Sequence, residues 1–184
     1  MTSKPGRRPF FCLTVVTSAD GFIARDPKDA PQTWACAEEQ RLFFADVNAA
    51  DWAIMGRNTH EAADKPERHR MVFSRTQSGW QRPTQLWLDP ADMTPVDLVG
   101  AVGEIRPLLA GLILGGTTVH DWFLSHDAID RVHLTIEPVT FGTGLPMFSA
   151  HSGAPGAVLS AAGFRKVQDD PLNEAGSRYQ VWLP

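Results

Sequence analysis

The sequence has few cysteines and no long apolar segment. Cys12 and Cys36 are the only two cysteines in 184 residues, and neither belongs to a Cys-x-x-Cys or histidine-rich spacing of the kind that binds zinc. The longest strongly apolar stretch, 108–116, has nine residues, whereas a membrane-spanning helix needs ~20. We therefore expect no disulfide framework, no metal site and no passage through a membrane, in a protein of the reducing cytoplasm.

An excess of positive charge is also missing. Lysine and arginine number 17 against 21 aspartates and glutamates, which gives a net charge of −4 and a pI near 5.8. A protein with this balance has no general attraction for nucleic acid or for an anionic membrane surface. The expected partner is a small molecule, with any cationic site confined to a local pocket.

The amino terminus resembles a signal peptide only superficially. Lys4, Arg7 and Arg8 precede an apolar run, which is the order that such leaders show. The run is short and soon meets the polar residues Thr17 and Ser18. It predicts a first β-strand rather than a secretion signal.

Length and composition fit one globular domain over residues 1–184. A domain typically takes ~100–200 residues. The 15 glycines and 14 prolines together stay below the ~25–30% of residues that is typical of disordered segments. No internal repeat and no linker-like boundary divides the sequence.

Apolar strands alternate with helices as far as about residue 136. Apolar and β-branched runs predict strands at 10–16, 52–55, 71–74, 85–88, 112–114 and 131–136. Helical periodicity and capping residues predict helices at 36–50 and from about 58, 94 and 118. In the first helix, Phe43, Val47 and Ala50 form the expected buried face. Two final strands, 158–167 and 178–183, are expected to pair antiparallel.

This order of elements predicts an α/β fold. Alternating strands and helices favour a mixed, mostly parallel central sheet with helices on both faces, and the last two strands favour an antiparallel C-terminal edge. Ligands in such sheets bind at the carboxyl ends of the strands, where the loops emerge. The functional residues are therefore expected in the loops at 17–24, 55–59, 74–76 and 115–119.

Three of these strand ends carry the residues that phosphate groups need. Glycines at 56 and 115–116 allow a ligand to approach the backbone, and the helix starts that follow offer N–H groups and hydroxyls. Arg57 and Arg75 add two cations. Neither a Gly-x-Gly-x-x-Gly segment after the first strand nor a Walker loop is present. The alternative is that these glycines form tight turns for packing alone.

The motifs at these strand ends resemble those of the dihydrofolate reductase-like superfamily. The resemblance is closest to the reductase domain of the bifunctional riboflavin-biosynthesis deaminase-reductase, and it covers roughly residues 10–148. The matching segments, in family order, are Ser-Ala-Asp-Gly-Phe-Ile-Ala at 18–24, Ala-Ile-Met-Gly-Arg-Asn-Thr at 53–59 with Glu61, Leu-Ile-Leu-Gly-Gly at 112–116, and the series from Asp130 through Glu137-Pro138-Val139 and Gly142-Thr143-Gly144 to Phe148.

The resemblance implies an NADPH site and a three-layer dihydrofolate reductase-like fold. It places Val16, Ile23 and Ala24 beside the nicotinamide, and it implies a cis peptide bond between Gly115 and Gly116. The residues that it implies for the phosphates and the adenosine 2′-phosphate are Gly56, Arg57, Thr59, Ser74, Arg75, Gly115, Gly116, Thr117, Thr118 and Val119.

The resemblance also implies candidates near the substrate. Asp20 matches an acid that faces the substrate pocket in the riboflavin-type reductases, and Glu38 or Glu39 falls near the carboxylate that dihydrofolate reductases place at the start of the first helix. We keep Asp20 and Glu39 as catalytic candidates. Trp34, Glu38 and Thr135 are candidates for substrate binding. An exposed first-turn glutamate and a turn-forming aspartate are the alternatives.

The predicted function is reduction of a small heterocyclic substrate, pterin- or pyrimidine-like, or of a carbonyl or imine, by NADPH. The zinc deaminase half of the bifunctional enzyme is absent, since no His-x-Glu with Pro-Cys-x-x-Cys occurs. Because no catalytic acid stands out, a non-catalytic nucleotide-binding or regulatory module on the same fold is the alternative. Relatives of the riboflavin type are commonly dimers, so the resemblance also implies a homodimer.

Overall fold

The structure is a computed structural model that describes residues 8–184. Lys4 and Arg7 of the leader-like segment lie outside the described residues, as does the start of the predicted domain. The strands are β1 Phe10–Ser18, β2 Phe22–Ala24, β3 Trp52–Gly56, β4 Arg70–Phe73, β5 Gly79–Arg82, β6 Gln85–Leu88, β7 Ala110–Gly115, β8 Arg131–Glu137, β9 Leu145–Pro146, β10 Arg165–Pro171 and β11 Arg178–Leu183. The α-helices are α1 Ala37–Ala49, α2 Arg57–Ala62, α3 Asp97–Val102, α4 Thr117–Ser125 and α5 Pro155–Ala161, and a 3₁₀ turn spans Pro31–Thr33.

Nine strands form one sheet in the order β10-β11-β8-β1-β7-β3-β4-β6-β5. The central strands from β8 to β6 are parallel to their neighbours. Antiparallel pairs close both edges, β10 and β11 beside β8 on one side and β5 beside β6 on the other. The predicted α/β class, the mostly parallel sheet and the antiparallel C-terminal edge are confirmed.

The strands have two different faces. On β1, Phe11, Leu13 and Val15 are buried in the main apolar cluster, which also contains Phe123 of α4 and Leu159 of α5. Their neighbours Cys12, Thr14 and Val16 point to the opposite face because successive side chains alternate along a strand. Helix α1 lies over that second face, where the Thr14 hydroxyl donates a 2.6 Å hydrogen bond to its Asp46. The protein thus has three layers.

The prediction of a strand over 158–167 is wrong in its first half. Residues Pro155–Ala161 form α5, and the strand begins only at Arg165. Proline at the start of a helix and glycine after its end is a recognised pattern, and here Pro155 begins α5 while Gly163 has a φ of +95°. Val158 and Leu159 form the buried stripe of this helix.

The face of α1 that carries Phe43 and Val47 is not buried in the core. Both side chains are only partly buried, and they line a cavity between α1 and the sheet. The expectation of a packed helical face is therefore corrected: the apolar stripe forms a cavity wall. Within residues 8–184, no helix is long and apolar enough to span a membrane.

Helix starts were predicted less well than strands. The sequence predicts a capped helix from about residue 58, with Asn58 and Glu61 as the capping pair, yet α2 begins at Arg57 and no side chain caps it. The start predicted near residue 94 rests on Thr94 and Asp97, and Asp97 accepts hydrogen bonds from the N–H and the hydroxyl of Thr94, at 2.7 and 2.8 Å. The two residues are thus bonded to each other, although α3 begins only at Asp97.

Candidate active site

A cavity of about 1360 Å³ lies between α1 and the sheet and extends past the carboxyl ends of the parallel strands. Both predicted loops with glycine, at 55–59 and 115–119, contribute to its wall. All of the predicted cofactor residues except Gly115 line it: Val16, Ile23, Ala24, Gly56, Arg57, Thr59, Ser74, Arg75, Gly116, Thr117, Thr118 and Val119. The fold thus brings together residues that are about 100 positions apart in the sequence.

The turn between β7 and α4 presents bare backbone to this cavity. The Gly115–Gly116 peptide bond is cis, as the resemblance implies. A Cβ atom at Gly116 would have no heavy atom within 4 Å, so nothing covers the backbone there. Thr117 and Thr118 are the first residues of α4, and amides at this position have no acceptor within the helix. This turn fits a diphosphate group.

Gly115 meets a different requirement. Its φ is +100°, and a Cβ there would stand 2.8 Å from Nε2 of His120. Burial lowers the pKa of His120 to about 4, so the ring is neutral, and its Nδ1–H donates a 2.9 Å hydrogen bond to the Met147 carbonyl. Glycine at 115 therefore allows the chain to pass close to a buried ring.

Cations stand at two of the other strand ends. Arg57 is half exposed and lies 3.8 Å from Glu61, so this weak contact leaves it available to a ligand. Arg75 is exposed. Beside it, the Ser74 oxygen accepts hydrogen bonds from the N–H groups of Thr76 and Gln77, at 3.3 and 3.2 Å. The loop is thereby held with Arg75 at the cavity wall.

Five acidic side chains line the cavity, and Glu39 is the one among them that is buried. It is the one buried residue of α1, only 6% exposed, and its carboxyl makes no hydrogen bond to any of the residues 8–184. Burial, helped by the negative charges of Glu137 and Asp46, raises its pKa to about 7. A buried carboxyl that keeps its proton near neutral pH and faces a cavity is suited to donate that proton to a ligand.

The other two acidic candidates do not face the cavity. The Asp20 carboxylate accepts hydrogen bonds from the N–H groups of Phe141 and Gly142, at 3.1 and 2.7 Å. Desolvation is the largest single effect and raises its pKa, but the hydrogen bonds from Ser18, from these two amides and from its own N–H together outweigh it and lower the pKa. Hydrogen bonds from its own N–H and from Asn173 likewise lower the pKa of Glu38. Asp20 thus fastens one loop to another, and Glu38 contacts the β10–β11 turn.

Trp34 and Thr135 also lie outside the cavity wall. Trp34 packs edge-on against Phe141, with 5.1 Å between the ring centroids, and its indole Nε1 is buried without a partner among the described residues. Thr135 is buried in β8, in register with Val16. Of the predicted substrate and catalytic residues, Glu39 therefore lines the cavity, whereas Asp20, Trp34, Glu38 and Thr135 do not.

Several residues at the wall were missed from the sequence. Thr14 lies two positions before Val16 on the same face of β1, and Phe43 lies one helical turn after Glu39. The spacings of two along a strand and four along a helix place these side chains beside the predicted ones. Gln40, Thr76 and Trp122 line the cavity as well.

Comparison with solved structures identifies the fold. A crystal structure described as a putative riboflavin biosynthesis protein from Shewanella sp. PV-4 matches 95% of this chain and 98% of its own, with 19% identity and a TM-score of 0.69. Dihydrofolate reductase from Enterococcus faecalis, complexed with NADP(H) and RAB-propyl, covers 96% of both chains with 17% identity and a TM-score of 0.64.

A third structure is longer than this protein. The diaminohydroxyphosphoribosylaminopyrimidine deaminase/5-amino-6-(5-phosphoribosylamino)uracil reductase from Thermotoga maritima matches 96% of this chain but only 57% of its own, with 19% identity and a TM-score of 0.68. No curated protein sequence matches significantly. At these identities the structural matches establish a dihydrofolate reductase-like fold.

The family follows from the sequence itself. The model of the RibD C-terminal domain matches residues 9–170, a range that contains β1 to β9, the cavity and every candidate residue discussed above. Of the described residues, those beyond the matched range are Arg8, the last residue of β10, the turn after it and β11 to the end of the chain. The chain belongs to the RibD C-terminal domain family.

Proposed function

We propose that this protein is an NADPH-dependent reductase that delivers hydride to a C=N or C=O bond of a small heterocyclic substrate, with Glu39 as the proton donor. The observation that carries the proposal is the Glu39 carboxyl, which is buried, has no hydrogen-bond partner among the described residues, and lines the same cavity as the predicted cofactor residues. An unpaired buried carboxyl is costly in a folded protein, so its retention here favours a role toward a ligand.

The cofactor half of the cavity suits a dinucleotide with an additional phosphate. The uncovered backbone at Gly116 and the first amides of α4 would hold the diphosphate. Arg57 and Arg75 would hold the 2′-phosphate that distinguishes NADPH from NADH. Val16 and Ile23 line the cavity at the β1 and β2 side, where the nicotinamide would lie.

The chemistry needs one hydride and one proton. When bound, NADPH supplies the hydride and leaves as NADP⁺. The Glu39 carboxyl gives its proton to the nitrogen or oxygen of the double bond while the carbon of that bond accepts the hydride, and Glu39 regains a proton from water before the next turnover. A group with a pKa of about 7 can both give and regain a proton near neutral pH.

The comparisons support a reductase without naming the substrate. The Thermotoga protein is described as a 5-amino-6-(5-phosphoribosylamino)uracil reductase and the Enterococcus protein as dihydrofolate reductase. Both names describe substrates that contain a nitrogen heterocycle. In the present protein, Phe43 and Val47 offer an apolar wall beside Glu39, which suits one face of such a ring.

Binding of the cofactor is tested first. The melting temperature of the purified protein is measured with NADPH, with NADH and without a nucleotide, and we expect NADPH to raise it more than NADH does. No stabilisation by NADPH at concentrations up to about 1 mM, a thousand times a Kd of about 1 μM, would overturn the proposal.

Turnover is tested with a panel of pterin, pyrimidine and quinone substrates, by following NADPH oxidation at 340 nm. Glu39→Gln keeps the shape of the side chain but cannot donate a carboxyl proton, and it is expected to lower kcat by about 100-fold. Glu38→Gln is the matched control, because this neighbouring acid lies outside the cavity. NADPH binding without oxidation by any member of the panel would instead support a non-catalytic module.

A further inference from the structure

Glu137 is a buried acid that the proposed reaction does not use directly. It ends β8 and is 2% exposed. Its Oε1 accepts a 2.8 Å hydrogen bond from the N–H of Cys36, and its Oε2 accepts a 2.5 Å hydrogen bond from the hydroxyl of Ser177. Both oxygens therefore have donors from the protein, which is the arrangement that a buried carboxylate requires.

These bonds connect Glu137 to the helix that carries Glu39. Cys36 is the residue immediately before α1, and its Sγ accepts a 3.4 Å hydrogen bond from the N–H of Glu39. The start of α1 is thus fastened at Cys36 from both sides, by β8 and by its own first turn. Any movement of Glu137 would move the backbone from which the Glu39 side chain extends.

Glu137 also acts on Glu39 through its charge. Two acidic groups raise the proton affinity of Glu39, Glu137 from β8 and Asp46 from α1 itself. Asp46 is paired with His133 at 2.8 Å, and the positive ring offsets much of its charge. Cys36, from the segment before α1, contributes a thiol whose pKa is raised by burial and by Glu137, so it is uncharged. Within residues 8–184, Glu137 makes no ion pair, so its effect on Glu39 is not offset in the way that His133 offsets that of Asp46.

We propose that Glu137 is a positioning residue that holds the start of α1, directs the Glu39 carboxyl into the cavity and acts on it through its charge. The inference rests on the proposed function, since it assigns Glu137 the control of the proton that Glu39 donates. Glu137 touches neither substrate nor cofactor, because it lies outside the cavity wall, and it acts through Cys36 and through its charge.

Glu137→Gln separates the effect of the Glu137 charge on Glu39 from the hydrogen bond by which Glu137 holds Cys36. Glutamine retains an oxygen that can accept the Cys36 N–H and removes the charge. The matched control is Glu174→Gln, which removes one negative charge from the exposed turn that also carries Ser177. Folding of each variant is checked by circular dichroism and by its melting temperature.

The direct readout is the titration of the Glu39 carboxyl, followed by ¹³C NMR of glutamate-labelled protein and assigned with Glu39→Gln. We expect a midpoint near 7 in the unmodified protein. In Glu137→Gln the midpoint should fall by about one unit, as loss of a nearby like charge predicts. In Glu174→Gln it should stay in place. An unchanged midpoint in a folded Glu137→Gln protein would overturn the inference.

A second variant keeps the test decisive should Glu137→Gln fail to fold. Ser177→Ala leaves Glu137 in place but withdraws one of its two donors, so less of the negative charge is offset and the Glu39 midpoint should rise. An unchanged midpoint in Ser177→Ala would then refute the inference.

The kinetic readout connects the inference with turnover. The alkaline limb of the kcat profile should move to lower pH in Glu137→Gln by the same amount as the NMR midpoint, so that kcat falls about tenfold at pH 8 for a one-unit shift. The rate at pH 5.5 should stay nearly unchanged. If the midpoint moves but no panel substrate is reduced, the proposed function fails while the effect of Glu137 on Glu39 stands.

Discussion

His133 of β8 and Asp46 of α1 are joined by a 2.8 Å contact between Nδ1 and Oδ2. The hydroxyl of Thr14 donates to the same carboxylate oxygen at 2.6 Å. Both side chains of the pair are four-fifths buried or more, so solvent screens the interaction only in part. Burial alone would lower the pKa of His133, but hydrogen bonds with Asp46 and Cys12 and the charge of Asp46 together outweigh it and raise the pKa to about 9. The pair therefore fastens the helix that carries Glu39 to the sheet.

This pair should make stability depend on pH above neutrality. Because the pKa of His133 is raised from 6.5 to about 9 on folding, its contribution is fully present below pH 6.5 and is lost as the pH rises through 9. We expect the free energy of unfolding, measured in urea, to fall by about 1 kcal/mol between pH 7.5 and 9. This window lies above the titration of Glu39, whose pKa is about 7.

His133→Gln should flatten that decline, and Asp46→Asn should flatten it as well. His151→Gln is the control, since His151 makes no ion pair within the part of the chain that the structure describes. A decline of equal size in His133→Gln would show that other groups cause it, and the assigned role of the pair would be wrong.

The sheet and most of the cofactor loops could be predicted from the sequence, because their signals are local. Runs such as 52–55 are apolar throughout, as strands buried on both faces require, and β3 indeed spans Trp52–Gly56. Glycines directly after such strands then mark the ends at which ligands bind in parallel sheets. Together with the family resemblance, which named the individual residues, this reasoning led to twelve of the residues that line the cavity.

The remaining features depend on contacts that no local pattern encodes. Asp20, Glu38 and Glu39 were all candidate acids from the sequence. The folded structure shows that Glu39 faces the cavity, whereas Asp20 accepts hydrogen bonds from a loop 121 residues away. The contact of Glu137 with Cys36 spans 101 residues. Helix α5 was different, because its proline and glycine did carry a local signal that the strand prediction over 158–167 did not use.

Arg57→Ala should reduce the preference for NADPH. Arg57 lines the cavity, is half exposed, and has only the 3.8 Å contact with Glu61, so its charge is free to meet a 2′-phosphate. We expect the Kd for NADPH to rise about tenfold, as loss of one charge-assisted hydrogen bond predicts for a partly exposed site. The Kd for NADH, measured by the same fluorescence titration, should rise less than twofold by the same reasoning.

Arg41→Ala is the matched control for this change in charge. Arg41 is an exposed arginine on α1 that does not line the cavity, so its loss alters the net charge equally but should leave both dissociation constants in place. Equal weakening of NADPH and NADH by Arg57→Ala would remove Arg57 from the 2′-phosphate role and leave Arg75 as the remaining candidate.

The turn between β7 and α4 is connected to the β2 side of the cavity through β9. The hydroxyl of Thr117 donates a 2.5 Å hydrogen bond to the carbonyl of Pro146. Pro146 pairs with Phe22, and Leu145 pairs with Ala24, in the two-stranded sheet of β2 and β9. The donor of Thr117 is therefore already engaged within the protein, which corrects the expectation of a hydroxyl free to donate to a phosphate.

Thr117→Val should loosen β2 because it removes this hydrogen bond while keeping a side chain of the same shape. We expect faster hydrogen exchange at the amides of β2, by about fivefold for the loss of ~1 kcal/mol. NADPH should also bind more weakly, since Ile23 and Ala24 of β2 line the cavity. Thr117→Ser retains the hydroxyl and should restore both properties. If the amide hydrogen exchange of β2 is unchanged while NADPH binds more weakly, then Thr117 acts on the cofactor directly and not through the hydrogen bond to β9.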